Sequence, residues 1–362
     1  MKPLPSRIAA LCAELDRLGC EAAVALGSLH AVHLAGYDRY LSDVSGAVAV
    51  VVDGDGRRSL VVQRREVPAA EAEAHADEVD GYGPDHLLEL APAASLAAAC
   101  RRLAGGGRLA AAGPAELVEA LRATGADIVA IDGFLTRLRR RKDPDEMARV
   151  ADAFRLALVA QRVVEEGVAG GRSEIGLFGA AHAAAQEEAG RPLAWIATVA
   201  SGPRSALVSP PFCVPGRDPV APGAPLLCDI ALRHRGYWGD STRTYGGDTE
   251  VAEVRDELTR LRDELALQAL PGVPAADLFE RARAAIAARW PGAELPHHAG
   301  HALGVEVGEG PQIVPSDSLI IEEGMAIAIE PGAYFTGRFG VRVENTYAVT
   351  ADGARRIDEV AS

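Results

Sequence analysis

The chain lacks the cysteine pattern of a disulfide-stabilised or zinc-binding protein. Its 362 residues include five cysteines, an odd number, scattered along the sequence without any CxxC pair. Disulfide frameworks and zinc ribbons are built from closely spaced cysteines. The pattern therefore argues against both, and we expect the thiols to lie in a reducing cytoplasm.

Long hydrophobic runs are also missing. No uncharged apolar stretch approaches the ~18 residues that a membrane-spanning helix needs. At the N-terminus, charged residues such as Arg7 and Glu14 interrupt the segment in which a signal peptide would need its apolar core. We therefore expect a soluble, unexported chain that has no membrane partner.

An excess of positive charge is the third absence. The net charge is −14 at pH 7, which repels phosphate backbones and anionic membrane surfaces. The one basic run, Arg137 to Lys142, contains no interleaved aromatic residues, so we interpret it as a solvated linker face. We expect no nucleic-acid partner.

What the sequence does contain is the composition of a globular protein. Hydrophobic residues make up 48% and charged residues 24%, which argues against fibrous and disordered classes. The length predicts two or three domains. Helical and strand-like patterns alternate over about the first 135 residues, with helices expected at Ser6–Leu18, Leu87–Leu103 and Ala115–Ala123. This alternation predicts an α/β domain with a covered mixed sheet.

Pro144 marks the expected domain boundary. It suits the first turn of a helix that continues from Met147 to Glu166. We therefore divide the chain into residues 1–138, a smaller N-terminal α/β domain, and residues 139–362. In the second part helices flank antiparallel strands, and this pattern predicts an α+β domain.

Two strand-like stretches, Leu226–Leu232 and Tyr237–Tyr245, predict a hairpin in which each strand carries one aspartate, Asp229 and Asp240. With the turn centred just ahead of Arg235, the two carboxylates lie directly opposite each other, with their Cβ atoms about 4.5–5.5 Å apart. Like charges so placed repel, and a fold accepts them when a cation or a proton lies between them. The alternative is a pair of exposed hairpin aspartates.

A second predicted hairpin pairs Met325–Glu330 with Gly340–Val349. Glu330 ends an otherwise apolar strand, and Glu344 follows β-branched residues. With the turn centred at Gly337, these two carboxylates also converge across the ladder. Each glutamate alone is equally compatible with an exposed strand end, but buried charges need a partner, and two acidic hairpins together predict a cation site.

His301 lies between the two hairpins in the sequence, in the segment AGHALG. The glycines on either side permit close approach of the backbone. On its own, such a histidine is more often a satisfied core residue. Between two acidic hairpins it is the natural nitrogen ligand of an otherwise all-oxygen site. Four carboxylates and one imidazole predict a site for two divalent metal ions.

These segments resemble the two-metal peptidases of the pita-bread fold, which include methionine aminopeptidase, aminopeptidase P and prolidase. The motifs occur in the family's order: two aspartates eleven residues apart ahead of TRT, then GHALG, EPG and GVRVE. The resemblance implies a pita-bread C-terminal domain. It also implies a ligand set in which all five positions are filled, unlike the metal-free creatinase branch: Asp229, Asp240, His301, Glu330 and Glu344.

The N-terminal part resembles the small domain of prolidase and aminopeptidase P, with LAGYDRY, residues 34–40, in the place of that domain's usual motif. The resemblance then implies a metallo-exopeptidase that hydrolyses the N-terminal bond of short peptides, as an Xaa-Pro dipeptidase or aminopeptidase P. It implies a homodimer and two divalent ions that activate water. Manganese is the first choice, and zinc, cobalt and iron are alternatives.

The resemblance also implies residue roles. Asp240 and Glu344 bridge the two ions, and Glu330 is both a ligand and the acceptor of a proton from the attacking water. His297, four residues before His301, matches a catalytic histidine of the family. The candidates for substrate binding are His297, Tyr237 and Arg342.

Two positions depart from the family. Proline peptidases of this type carry three further active-site histidines, of which His297 is the one evident here. Ser209 stands where a histidine usually follows a proline, and Gly308 replaces the histidine of a VHE motif. Losing two hydrogen-bond donors near the reacting carbonyl costs several kcal/mol of transition-state stabilisation if nothing replaces them. His298 is one candidate replacement.

Three classes of function stay open. The first is the peptidase, acting on a short peptide. The second is a dinuclear-metal hydrolase or lyase with a small non-peptide substrate, which keeps the ligands and abandons the histidines that contact a peptide. The third is a non-catalytic binding module, which is expected to lose metal ligands first, whereas this chain keeps all five.

Overall fold

The structure is a computed structural model that describes residues 5–38, 47–84, 92–207 and 214–360. Its internal contacts divide the chain into two compact units, Met1–Arg139 and Arg140–Ser362, one residue from the boundary expected at 138/139. Three predicted features lie wholly or partly outside the described residues: the start of the helix over Leu87–Leu103, the end of LAGYDRY, and Ser209.

The N-terminal unit is built on a mixed sheet with the order β4-β3-β2-β1-β5-β6. β2 runs antiparallel to β1 and β3, and the other neighbours are parallel. The strands of this unit are β1 (Ala22–Leu26), β2 (Ala49–Asp53), β3 (Arg58–Gln63), β4 (Glu78–Tyr82), β5 (Leu109–Ala112) and β6 (Ile128–Ala130).

Helices cover both faces of this sheet. Because side chains alternate along a strand, Ala23 packs in one apolar cluster with Leu11, and Val24 packs in the other with Leu96. The covered mixed sheet predicted from the sequence is confirmed. The helices are α1 (Ser6–Leu18), α2 (Ser28–Ala35), α3 (Val67–Glu73), α4 (Pro92–Ala104), α5 (Ala115–Arg122) and α6 (Asp132–Arg140).

The C-terminal unit begins with a helix pair packed on an antiparallel sheet. Asp143 and Glu146 form a capping box around Pro144 at the start of the first helix. Both helices pack on the sheet face that carries Cys228 and Ile230. Because side chains alternate along a strand, the side chain of Asp229, the residue between them, lies on the opposite face. The elements are α7 (Pro144–Val168), α8 (Glu174–Ala189), β7 (Ala194–Ser201), β8 (Leu226–His234) and β9 (Tyr237–Tyr245).

The rest of this unit repeats the plan. α9 (Thr249–Gln268) and α10 (Ala275–Arg289) pack on the face of a second antiparallel sheet that carries Ile327 and Ile329, and the sheet order is β11-β10-β12-β15-β16. The predicted α+β architecture is confirmed. The remaining elements are β10 (Gly300–Leu303), β11 (Val307–Gln312), β12 (Ala326–Ile329), β13 (Gly332–Phe335), β14 (Phe339–Arg342), β15 (Asn345–Thr350), β16 (Gly353–Arg356) and α11 (Ile357–Val360).

The basic run before α7 differs from the solvated face that the sequence predicts. Lys142 donates a hydrogen bond from Nζ to Glu309 Oε2 at 2.8 Å, and both side chains are 1% exposed. Arg139 is buried as well. The compensating carboxylate lies far along the chain, so the sequence around Lys142 does not indicate it.

Within the described ranges, no helix is both long and apolar enough to cross a bilayer.

Candidate metal centre

The first acidic hairpin has a register two residues away from the predicted one. Asp229 lies opposite Thr242, and Asp240 lies opposite Ala231. The strands are joined by Arg235 and Gly236, which adopt positive φ values of 48° and 85°. Two-residue hairpin turns of this kind match the right-handed twist of the strands that they connect. The aspartates are therefore diagonal neighbours on one face instead of a directly opposed pair.

The second acidic hairpin keeps the predicted register. The pairing of Ile329 with Asn345 between β12 and β15 puts Glu330 opposite Glu344, in the gap before the β13–β14 ladder begins. Both glutamates are buried. Thr242 of the first hairpin donates its hydroxyl to Glu344 Oε2 at 2.6 Å, so the two hairpins meet at their carboxylates.

His301 on β10 completes the cluster. Its Nε2 lies 3.5 Å from Asp240 Oδ2 and 3.7 Å from Glu330 Oε1. Asp240, His301 and Glu344 each offer a ligand atom within 4.8 Å of the others. The structure thus brings together the residues that the sequence predicts as ligands, from two hairpins and one further strand.

Two buried carboxylate oxygens in this cluster, Asp240 Oδ1 and Glu330 Oε1, have no hydrogen-bond partner. An unpaired buried polar atom costs free energy, and a divalent cation would satisfy both. Carboxylate oxygens with an imidazole nitrogen are the donors that hard to borderline divalent ions take. The residues present therefore fit a metal centre.

Asp229 is held by an arginine. Its Oδ2 accepts a hydrogen bond from the Arg342 guanidinium. Arg342 also donates from Nη1 to the Tyr334 hydroxyl at 2.9 Å. The Asp229 side chain is thereby fixed at the edge of the cluster.

The buried acidic groups raise one another's proton affinity. Burial, with a contribution from Asp229, raises the pKa of Asp240 to about 6. Burial and the neighbouring carboxylates, Asp240 first, raise the pKa of Glu344 well above its usual range. Burial disfavours a charged His301, but Asp240 and Glu330 outweigh it and raise its pKa to about 9. The cluster retains protons, so metal binding must release them.

Glu330 behaves differently from the other acids. Burial alone would raise its pKa, but the surrounding His298, Arg342 and His301 outweigh burial and hold the pKa below its usual range. Glu330 therefore stays ionised more readily than Asp240 and Glu344.

His297 is engaged at both ring nitrogens. Burial, reinforced by Arg342, lowers its pKa to about 3, so the ring is neutral at pH 7. Nδ1 lies 2.5 Å from the His298 carbonyl oxygen, which can only accept, so Nδ1 carries the proton. Nε2 then accepts from the Tyr334 hydroxyl at 2.9 Å. Tyr334 is not among the site residues predicted from the sequence, although it stands four residues after Glu330 in the motif EPGAY.

The cluster opens into a cavity of about 430 Å³. Its lining includes the five predicted ligands together with His297, His298, Tyr334 and Arg342, and its apolar wall includes Ile196, Leu207 and Val307. The structure does not bring Tyr237 to this cavity. That side chain is 1% exposed, and its hydroxyl donates to Glu146 Oε1 at 3.0 Å.

Gly308 takes a conformation with φ of 81°, and a Cβ atom there would lie 2.6 Å from Gln312 Nε2. The carboxylate of the next residue, Glu309, accepts one hydrogen bond from Lys142 and another from the backbone N–H of Val305 at 2.8 Å. This segment therefore offers no side chain at the position of the family's usual histidine.

A model of metallopeptidase family M24 matches residues 145–351, more than half of the chain. The chain belongs to this family. Its M24 region contains the complete cluster described above, and solved structures support the fold along almost the whole chain. Prolidase from Pyrococcus horikoshii superposes with a TM-score of 0.80 at 22% identity, covering 98% of each chain. Dipeptidase PepE from Mycobacterium ulcerans gives a TM-score of 0.72 at 28% identity, covering 98% of this chain and 95% of that one. The predicted pita-bread fold is confirmed.

Curated M24 relatives align over part of their length. The Xaa-Pro dipeptidase of Lactobacillus helveticus is 31% identical over 226 residues, which are 62% of this chain and 61% of that protein. The probable dipeptidase PepE of Mycobacterium tuberculosis is 36% identical over 229 residues, 61% of this chain and 59% of that protein. The alignments thus span less than two thirds of each of these two relatives.

Proposed function

We propose that this M24 protein is a metal-dependent dipeptidase of the Xaa-Pro type, which hydrolyses the N-terminal bond of short peptides. The observation that carries the proposal is one cavity lined by four carboxylates and the His301 imidazole, in which the buried Asp240 Oδ1 and Glu330 Oε1 make no hydrogen bond. Relatives named Xaa-Pro dipeptidase and dipeptidase, of 31% and 36% identity, support the substrate class.

Five residues are proposed to hold two divalent ions: Asp229, Asp240, His301, Glu330 and Glu344. Manganese is the proposed metal, because oxygen donors predominate, and zinc, cobalt and iron are the alternatives. Divalent ions in such a site lower the pKa of water and polarise the carbonyl that water attacks. Asp240 and Glu344 are the residues that would contact both ions, as the family resemblance implies. Burial first, and neighbouring carboxylates second, raise the pKa of each.

Glu330 is the proposed proton acceptor. It lines the cavity, and its neighbours keep it in the ionised form that a proton acceptor must have; the role itself is the one that the family resemblance implies. His297 is neutral and accepts a hydrogen bond from the Tyr334 hydroxyl, and Tyr334 lines the cavity. We therefore assign His297 a role in positioning Tyr334. Arg342, which contacts both Asp229 and Tyr334, couples this wall to the ligands.

The substrate side of the cavity is apolar. Ile196, Leu207 and Val307 are each partly exposed along its lining, which suits a hydrophobic or proline side chain next to the cleaved bond. Gly308 offers no donor there. This observation favours a second candidate function, a dinuclear-metal hydrolase or lyase for a small non-peptide substrate, because such an enzyme needs the ligands but not the peptide-binding histidines.

The test is a hydrolysis screen with added manganese. It compares Xaa-Pro dipeptides, longer Xaa-Pro peptides and matched peptides without proline, each with a chelated sample. Chelator-sensitive cleavage of Xaa-Pro dipeptides is the expected result. Cleavage of longer peptides alone would make the enzyme an aminopeptidase, and no cleavage by protein with two bound ions would put the non-peptide hydrolase first.

Asp240→Ala tests the site assignment within the same screen. It removes a proposed bridging ligand, so we expect loss of metal binding and a fall in turnover of at least about 10²-fold, the loss that removal of one group that stabilises the transition state produces. Asp256→Ala, at an exposed position on α9, is the matched control and keeps wild-type turnover. Activity that survives Asp240→Ala would remove the metal centre from the proposal.

A homodimer and a cytoplasmic location complete the proposal. The cysteines in the described ranges, Cys12, Cys20, Cys100 and Cys228, are unpaired, which suits a reducing compartment. Light scattering over a range of protein concentrations tests the dimer, and a monomeric mass at every concentration would contradict it.

A further inference from the structure

His298 is the cavity residue that the mechanism above leaves without a role. It follows His297 and precedes His301 by three residues. Its side chain is 38% exposed, yet the Nδ1 atom is buried and has no hydrogen-bond partner. The ring thus presents one nitrogen to the interior of the cluster while the rest of the side chain reaches solvent.

A carboxylate oxygen near this nitrogen also makes no hydrogen bond. Nδ1 of His298 lies 2.9 Å from Glu330 Oε1, and neither atom makes a hydrogen bond. A neutral imidazole has a lone pair on one ring nitrogen, and an ionised carboxylate has lone pairs on both oxygens. When the ring proton is on Nε2, the Nδ1 lone pair faces the ionised carboxylate across 2.9 Å, and a cation held by both atoms would satisfy them.

The neighbouring histidine does not compete for this place. His297, His298 and Glu330 form a group with the spacing of a metal site. Both ring nitrogens of His297 are already engaged, by the His298 carbonyl and by Tyr334. His298 is therefore the member of the histidine pair that has a nitrogen to offer.

We propose that His298 is an additional nitrogen ligand, through Nδ1, of the ion that Glu330 and His301 hold. The proposal rests on the metal centre of the proposed function. Glu330 Oε1 lies 2.9 Å from His298 Nδ1 and 3.7 Å from His301 Nε2. Metal–nitrogen and metal–oxygen bonds are about 2.0–2.2 Å, so two ligand atoms of one ion lie at most about 4.4 Å apart. Both separations satisfy this limit.

A second imidazole changes which ion the site prefers. Oxygen ligands suit manganese, whereas imidazole nitrogens favour cobalt and zinc, which also stand above manganese in the general order of affinity for nitrogen and oxygen donors. His298 therefore gives this chain a stronger preference for cobalt or zinc over manganese than the five-ligand set alone.

The experiment titrates metal-free, full-length protein with Co²⁺ and with Mn²⁺ by calorimetry, and records the visible absorption of the Co²⁺ form. His298→Ala and His298→Gln are compared with wild type. His182→Ala is the matched control, because His182 also has a buried nitrogen without a partner but stacks on Trp195, outside both metal-ligand groups. Circular dichroism checks the fold of each variant.

The expected result is that both His298 variants bind one of two Co²⁺ ions at least about 10-fold more weakly, since even outer partners of metal ligands contribute 10- to 100-fold to affinity. Their Co²⁺ spectrum changes, and Mn²⁺ affinity falls less. His182→Ala matches wild type. If wild type binds two ions and the His298 variants keep its affinity and spectrum, the His298 inference is overturned while the proposed function stands. If wild type binds no ion, the proposed function itself is overturned.

Discussion

Gly308 occupies a backbone conformation that a histidine adopts only under strain. Its φ is 81°, and an added Cβ would meet Gln312 Nε2 at 2.6 Å. We predict that Gly308→His, which restores the family's usual residue type, lowers the free energy of unfolding by about 1–3 kcal/mol and does not raise the rate of peptide cleavage. Urea unfolding and the hydrolysis assay measure the two effects.

Gly337→His is the matched control for this substitution. Gly337 has a similar φ of 76° but nothing within 4 Å of an added Cβ. The difference between the two variants isolates the contact with Gln312. A faster Gly308→His enzyme would contradict the view that this segment has lost the histidine's role.

Single residues also mark the limits of prediction from sequence. The proposed ligands can be predicted from the sequence, because each stands in a short motif with fixed spacing. Tyr334 was missed, since its contribution depends on contacts with His297 and Arg342 that only the fold creates. Tyr237 was a substrate candidate by its position in a motif, but its hydroxyl bonds to Glu146.

At the scale of elements, the connection between β10 and β11 depends on a buried ion pair. Glu309 accepts from Lys142 Nζ and from the backbone of Val305 and Glu306. We predict that Glu309→Ala lowers the free energy of unfolding by about 3–5 kcal/mol, because it leaves a buried ammonium without a partner. Chemical denaturation measures the loss.

A double variant separates the charge from the packing. Lys142→Met combined with Glu309→Leu removes both charges and keeps side chains of similar size, so we expect it to lose less stability than Glu309→Ala alone. If the double variant is less stable than Glu309→Ala, the attraction between the two buried charges outweighs the free-energy cost of burying them.

Helix α2 carries a pH-sensitive histidine. His30 is buried, and burial together with nearby Arg139 lowers its pKa from 6.5 to about 4. The unfolded chain therefore binds a proton between pH 6.5 and 4 that the folded N-terminal unit does not. We predict that stability falls as pH drops through this interval, by up to about 3 kcal/mol at 1.4 kcal/mol per pH unit.

His30→Gln tests this prediction by denaturation at pH 7 and at pH 4.5. The variant has no imidazole to titrate, so its loss of stability across the interval is smaller than that of wild type. An equal loss in the two proteins would assign the acid sensitivity to other groups. Helix α2 itself was not predicted, because its residues from His30 to Ala35 are all buried and show no apolar stripe.

The two hairpins illustrate why register is only partly predictable. In the second hairpin the turn lies around Gly337, and glycine supplies the required conformation, so the pairing of Glu330 with Glu344 follows from the sequence. In the first hairpin Arg235 adopts positive φ, which is uncommon for a residue other than glycine. Nothing in the sequence indicates that Arg235 takes this conformation, so the register predicted from the sequence is wrong by two residues.

At the scale of the whole molecule, metal binding stabilises one unit. Each unit has its own apolar core, and the proposed ligands belong to Arg140–Ser362. We predict that saturating metal raises the unfolding free energy of that unit by about 2.7 kcal/mol per site at one hundred times the dissociation constant. The unfolding of Met1–Arg139 stays unchanged.

Scanning calorimetry with metal and with chelator measures the change. We expect one component of the calorimetric trace to move to higher temperature with metal while the other stays in place. Proteolysis during heating, at cleavage sites specific to each unit, identifies the unit that unfolds in the shifted component. Equal shifts of both components, or none, would contradict a metal site confined to the C-terminal unit.

The Lys142–Glu309 ion pair also constrains how the protein is made. The two residues are 167 positions apart, and ribosomes add about 5–20 residues per second, so roughly 10 to 30 seconds separate their synthesis. Throughout that interval the lysine lacks the carboxylate with which it pairs in the folded structure. Glu344 is made later still. The C-terminal unit therefore completes its buried ion pair and its acidic cluster only after Glu309 and then Glu344 have been made, whereas the N-terminal unit can fold while those residues are still being added.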